Sequence, residues 1–263
     1  MTGKESATDL YRAFRRHEPI EVPLFFYHVP KAAGTTVNAV LFALAKFRDH
    51  ICRFVPTPVG MRRTDPPRGL FGDPRVLVYS GHCWFGMHHR VPGPIHCATV
   101  LREPVERVAS EYLWRSRHRD RVATAEAFEH YVRNVGLSNM ATRLLSGESD
   151  IDWSSIERAV ANLESCRFVG LTAELGAFVT AILTEYGGPN VKAPRAKEGR
   201  DPLKVELMER YGGMVADHNR YNIELYAAAR RIQLERPGVT AALGEAAVTL
   251  RVANPRGKLF DVG

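Results

Sequence analysis

Between residues 24 and 47 the hydrophobic pattern changes period, and that change restricts the fold more than any other feature of the chain. Leu24-Phe25-Phe26-Tyr27-His28-Val29 is a continuous apolar run, the pattern of a short strand buried on both faces. After a short loop, Val37, Val40, Leu41, Leu44 and Ala45 recur on one stripe of a helix spanning Thr36 to Phe47. Arg75 to Ser80 and His96 to Leu101 read as two more central strands, and Val169 to Thr172 as a fourth. Glu103-Pro104 opens another helix, with proline in the first turn where its missing N–H costs nothing. Val105, Val108, Ala109 and Tyr112 give that helix its core face. Strands alternating with helices predict an α/β domain with a central parallel sheet and helical crossovers.

Elsewhere the pattern is coarser. Pro56 to Pro74 is rich in Pro, Gly and Arg and reads as a surface excursion. Beyond residue 122 the chain is mostly helical, with expected stops at Gly136, Gly147, Gly187-Gly188 and Gly212-Gly213. The division expected is a helical N-terminal extension over 1–20, one domain over 21–235 with a helical C-terminal half, and a tail over 236–263 without clear period.

Composition excludes several classes. Of the 263 residues, 45% are hydrophobic and 25% charged, which is globular rather than disordered or fibrous. The longest apolar runs, Val76–Tyr79 and Val40–Ala45, are far below the roughly 18–20 residues that span a bilayer. Met1 to Glu18 carries no apolar leader segment, so the expectation is a cytoplasmic protein without a membrane span. The formal charge of +7 favours anionic partners, but the arginines at 115, 117, 119 and 121 read as a solvated face rather than a specific nucleic-acid surface. Cys52, Cys83, Cys97 and Cys166 have no zinc spacing and are expected as reduced thiols, and no metal site is expected. Nothing in the pattern fixes an oligomeric state.

The sharpest local signal is His28-Val29-Pro30-Lys31-Ala32-Ala33-Gly34-Thr35-Thr36. A buried strand enters a loop of small residues with one lysine and then a helix. Backbone N–H groups, a helix N-terminus and an ammonium thereby converge on one point, which is an anion site. A nucleoside triphosphate loop would instead read GxxxxGK[ST], with lysine after the final glycine; here Lys31 precedes Gly34 by three residues. Arg102 ends the predicted strand 96–101, at the sheet edge where open α/β folds bind ligands. Ser110 lies two turns into the next helix, off its core stripe, so guanidinium and hydroxyl form a second anion site.

Together these segments resemble the PAPS-dependent sulfotransferases, specifically the branch with the heparan and chondroitin enzymes. Pro30-Lys31-Ala32-Ala33-Gly34-Thr35 is similar to that family's 5′-phosphosulfate loop. Leu101-Arg102-Glu103-Pro104, with Arg107, Ser110 and Tyr112, is similar to its 3′-phosphate strand and helix. Asn139 to Gly147, Val169 to Thr172, Asn190-Val191-Lys192 and Asn222 to Tyr226 follow in family order. Ala32-Ala33 replaces a commoner Thr-Gly or Thr-Ala, and Glu103 replaces Asp.

The resemblance implies a P-loop-like three-layer domain that binds PAPS and moves its sulfuryl group to an acceptor, with PAP as product and no metal. It implies that Lys31, Ala32, Ala33, Gly34, Thr35, Thr36, Arg102, Ser110, Thr172 and Lys192 hold the nucleotide. Lys31 would stabilise the leaving group. His82, directly after the strand 75–80, would be the base, with His28 as a positioning neighbour. Trp84-Phe85 would offer an acceptor platform, and His88-His89 read as exposed. The acceptor class stays open among a sugar, a glycolipid, a peptide tyrosine and a secondary metabolite. Two other readings stand beside this one: a P-loop-type phosphotransferase or nucleotide kinase, and a non-catalytic binder of nucleotides or polyanions.

Overall fold

Five parallel strands form one sheet in the order β2-β3-β1-β4-β5. They are β1 (Leu24–Tyr27), β2 (Ile51–Phe54), β3 (Val76–Gly81), β4 (His96–Leu101) and β5 (Phe168–Leu171). The computed structural model describes residues 20–55, 69–134, 138–188, 201–235, 250–253 and 259–262. Among these residues there are eight α-helices: α1 (Gly34–Phe47), α2 (Pro104–His118), α3 (Ala125–Asn134), α4 (Met140–Ser146), α5 (Trp153–Ser165), α6 (Leu175–Glu185), α7 (Pro202–His218) and α8 (Arg220–Glu235). None of them is long and apolar enough to cross a membrane.

Strand alternation explains the layers, because successive side chains leave a strand on opposite faces. Leu24 and Phe26 of β1 pack with Val37, Leu41 and Leu44 of α1 and with Phe178 and Ile182 of α6. Phe25 and Tyr27 face the other way, into a cluster with Leu145, Ala159, Leu163, Leu225 and Ala229 of α4, α5 and α8. Phe25 and Phe26, at most 1% exposed, each contribute roughly 1.5–3 kcal/mol by leaving water. A third cluster joins α2, α3 and α7 through Val108, Tyr112, Phe128, Leu207 and Tyr211. The expected three-layer parallel α/β domain is therefore the architecture found. All the carboxyl ends of β1, β3, β4 and β5 lie on one sheet edge.

The helical half is stapled by a buried polar network. Asn139, at φ 57° before α4, accepts from the Asn222 N–H at 3.1 Å and donates to the His218 carbonyl at 3.1 Å. The Asn139 N–H donates to Asn219 Oδ1, and Asn222 Oδ1 accepts from both the N–H and the hydroxyl of Thr142. These residues thus join α4 to the α7–α8 corner. Arg107 and Tyr112 are also structural: buried Arg107 pairs with Glu111 at 2.7 Å, and the Tyr112 hydroxyl closes the loop before α3 through Thr124.

Several expectations are corrected. Gly212 and Gly213 do not stop a helix; they lie inside α7, where an added Cβ would meet nothing closer than 3.8 Å. The edge strand β2 was not foreseen, and Leu250–Ala253 with Leu259–Val262 form an antiparallel pair (β6, β7) in the tail without clear period. Of the arginine band, 117, 119 and 121 are exposed as expected, Arg117 also binding Asp201, whereas Arg115 is half-buried against Glu111. Residues 1–19, 56–68, 135–137 and 189–200 lie outside the described residues, and with them most of the N-terminal extension, most of the 56–74 excursion, Gly136 and Lys192.

Candidate active site

The loop between β1 and α1 turns on two residues held in the left-handed region, Lys31 at φ 64° and Ala33 at φ 57°. Such backbone costs on the order of 1–2 kcal/mol per non-glycine residue, and it is held here by its neighbours. Ala32, between them, buries its methyl in the core and donates its N–H to the Val29 carbonyl at 3.2 Å. The N–H groups of Ala33, Gly34 and Thr35 have no hydrogen-bond partner among the described residues, and Ala33 provides no side-chain cap. They form a concave donor set at a helix N-terminus, the arrangement that takes an oxyanion. The amide of Thr36 donates to the Ala33 carbonyl at 3.0 Å and so is not one of these unpartnered donors. Thr36 keeps its half-buried hydroxyl at the loop.

Gly34 is required by close approach. A Cβ there would lie 1.8 Å from Cδ2 and Nε2 of His28. That imidazole is fixed from β3 and α1: the Ser80 hydroxyl donates to Asn38 Oδ1 at 2.6 Å, and Asn38 Nδ2 lies 3.3 Å from His28 Nδ1. With Nδ1 accepting from the amide, the proton resides on Nε2, beside the glycine. Burial, followed by the charges of His82 and Lys31, pushes the His28 pKa down to about 3, so the ring is neutral.

His82 follows β3, and its ring lies against that of His28 at a 37° tilt with centroids 3.9 Å apart. The two are tied reciprocally: the His28 N–H donates to the Gly81 carbonyl at 3.0 Å, and His82 Nδ1 donates to the His28 carbonyl at 2.6 Å. This bond places the His82 lone pair on Nε2. Burial lowers its pKa, against the opposing pull of the His28 carbonyl. The loop beyond is pinned by the Tyr27 hydroxyl, which accepts from the N–H groups of Gly86 and His88 and donates to His88 Nδ1. His88 is therefore half-buried rather than exposed as expected. Trp84, at 4% exposure, offers no free face to an acceptor, and Phe85 stacks on Tyr27.

At the end of β4, Arg102 reaches across to the loop. Its Nη1 donates to the Lys31 carbonyl and to Ser110 Oγ, both at 3.3 Å, and its Nη2 to Glu106 Oε1 at 2.5 Å. Its Nε is buried without a partner among the described residues. Glu103 caps α2 by accepting from the N–H groups of Val105 and Glu106, so this helix start is already satisfied. The Lys31 ammonium lies 5.2 Å from the centroid of the Trp114 ring, which is 45% exposed. Burial, then the nearby Arg102 charge, lowers the Lys31 pKa. Thr172 begins the turn after β5, one residue beyond the Leu101–Leu171 pairing, which places it beside Arg102 on the same edge.

The structure thus brings Lys31, Ala33, Gly34, Thr35, Thr36, Arg102, Ser110, His82 and Thr172 to one sheet edge. Sequence reasoning missed Asn38, Trp114 and Lys204. Asn38 sits four residues past Gly34, on the helix turn that faces back to the loop; the others carried no local signal. Among the described residues no group of three or more His, Cys, Asp or Glu is placed to hold a metal ion.

No family model matches the chain, and no curated protein matches it. Among solved structures it is similar to a sulfotransferase from Alicyclobacillus acidocaldarius, at 15% identity and a TM-score of 0.39, over 77% of this chain and 96% of that one. It is also similar to mouse sulfotransferase SULT7A1 complexed with PAP, at 12% identity and a TM-score of 0.35, over 80% of this chain and 72% of that one.

Proposed function

We propose that this chain is a sulfotransferase that moves the sulfuryl group of PAPS to an acceptor hydroxyl on a sugar, glycolipid, peptide tyrosine or secondary metabolite. The observation that carries this reading is the 3.3 Å bond from Arg102 to the Lys31 carbonyl. It joins the two segments read as anion sites, 71 residues apart, at one sheet edge. A nucleotide phosphorylated at both 5′ and 3′ would engage both segments at once.

In this reading Ala33, Gly34 and Thr35 hold the 5′-phosphosulfate through their amides, with the Ala32 and Thr36 turns shaping the cradle. Arg102 and Ser110 hold the 3′-phosphate, Thr172 meets the adenine, and Lys192 is a further nucleotide ligand. PAPS supplies an activated sulfuryl group whose transfer leaves a phosphate. His82 Nε2 takes the acceptor proton as the acceptor oxygen bonds to sulfur, and Lys31 meets the charge left on the bridging oxygen. Catalysis is then mainly positioning and charge stabilisation.

Calorimetric titration with PAP, AMP and ATP, with and without magnesium, tests the reading. Tight PAP binding that is lost without the 3′-phosphate supports it; preference for magnesium-ATP overturns it in favour of a kinase. Lys31→Ala should lower turnover by about 10²–10³-fold while changing PAP affinity far less. Equal losses would remove Lys31 from the transition state. Near-normal turnover in His82→Ala would remove His82 as the base.

A further inference from the structure

Two cations, one at the end of β4 and one in the first turn of α7, meet on a single carboxylate oxygen at the nucleotide edge. Glu106 Oε1 accepts from Arg102 Nη2 and from Lys204 Nζ, which reaches over from the first turn of α7. The three side chains are 32%, 21% and 20% exposed respectively, so solvent reaches the cluster and the carboxylate has room to leave it. Burial pushes the Glu106 carboxyl up, but the bonds and charges of Arg102 and Lys204 bring it down to about 2, so it is an anion at neutral pH. Ser110 Oγ sits on the same guanidinium, and Arg102 Nε is buried with no partner among the described residues. An anion is thus already seated among an arginine, a lysine and a hydroxyl, where the proposed function places a phosphate.

We infer that Glu106 is a resident stand-in for the 3′-phosphate, which displaces it from Arg102 and Lys204 when the nucleotide binds. The inference rests on the proposed sulfotransferase reading. It makes Lys204 a nucleotide ligand, although 98 residues separate it from Glu106. A phosphate monoester carries about −1.5 to −2 charge and three acceptor oxygens, against −1 and two for the carboxylate. It therefore wins both cations, and Glu106 turns to solvent. A nucleotide lacking the 3′-phosphate leaves Glu106 where it is.

Titration of the full chain with PAP and with AMP separates the possibilities. Glu106→Gln should bind PAP about tenfold more tightly, because the competing charge is gone, with AMP affinity unchanged. Lys204→Met should weaken PAP binding about tenfold or more without changing AMP, and Lys204→Arg should restore most of it; thermal melts confirm that each variant is folded. Weaker PAP binding by Glu106→Gln, or no change in either variant while the wild type still distinguishes PAP from AMP, would overturn the inference and leave the triad as a brace between α2 and α7. A wild-type chain that does not distinguish PAP from AMP would instead overturn the underlying reading.

Discussion

In the proposed reading, His28 serves the site without meeting the reacting atoms. Its carbonyl sets the His82 tautomer, its ring covers the His82 face, and its edge presses on Gly34. Keeping that ring neutral has a consequence for stability. A histidine whose folded pKa is about 3 binds no proton between pH 6.5 and 3, whereas the unfolded chain does. Stability therefore falls as pH drops below 6.5 and the loss levels off near pH 3, by up to about 1.4 kcal/mol per pH unit for one proton. Half-buried His88, lowered to about 4 by burial and by His89, adds in the same direction. Urea unfolding at pH 6.5 and pH 5, a window above the carboxylates, should show this slope. In His28→Asn it should be smaller by about one proton; an unchanged slope would mean that His28 is protonated in the folded chain. Activity follows the same sign: with the His82 pKa lowered, the acid limb of kcat/KM should lie below pH 6.5.

Among the elements, the strand-loop-helix from β1 to α1 is where local sequence and tertiary contact meet. Gly34→Ala places a methyl 1.8 Å from the His28 ring, so it should cost about 1–3 kcal/mol by overpacking and weaken PAP binding as the ring shifts the loop. Truncating the ring opens that space, so Gly34→Ala with His28→Ala should cost clearly less than the sum of the single changes in chemical denaturation. Strict additivity would mean that the clash is relieved elsewhere. The helix stripe of α1 and the strands β1, β3, β4 and β5 were legible because burial imposes their periods. The edge strand Ile51-Cys52-Arg53-Phe54 was not, since it is half-exposed, only four residues long and follows a left-handed Asp49. Gly212-Gly213 misled because two glycines in a helix packed through Leu207, Tyr211 and Val215 are tolerated at a cost of roughly 1 kcal/mol each. The loop lysine, the strand-end arginine and the following histidine were readable as residue types in place. Their partners Asn38, Trp114 and Lys204 were not, because only the assembled sheet brings those elements together.

At the scale of the whole molecule, the asparagine network reaches the His82 loop through α4, and it touches α7 only at the end opposite Lys204. Asn222 anchors Thr142 in α4, and the carbonyl of Leu144, one half-turn on, accepts from the Phe85 N–H at 2.8 Å in the loop that carries His82. The amides of Ala33, Gly34 and Thr35 and the Arg102 guanidinium hang instead on α1, β4 and α2. Asn222→Ala leaves the Thr142 N–H and hydroxyl without their acceptor in a buried setting, which should cost about 2–4 kcal/mol in denaturant unfolding. Under conditions where this variant is still folded, PAP affinity should stay within about twofold of wild type while PAPS turnover drops severalfold, because the histidine loop loses its rest on α4. A stability loss with turnover intact would make the network a staple alone. Parallel loss of PAP affinity would mean that the phosphate cradle leans on the same helices, and the two halves of the site would then have to be treated as one mechanical unit.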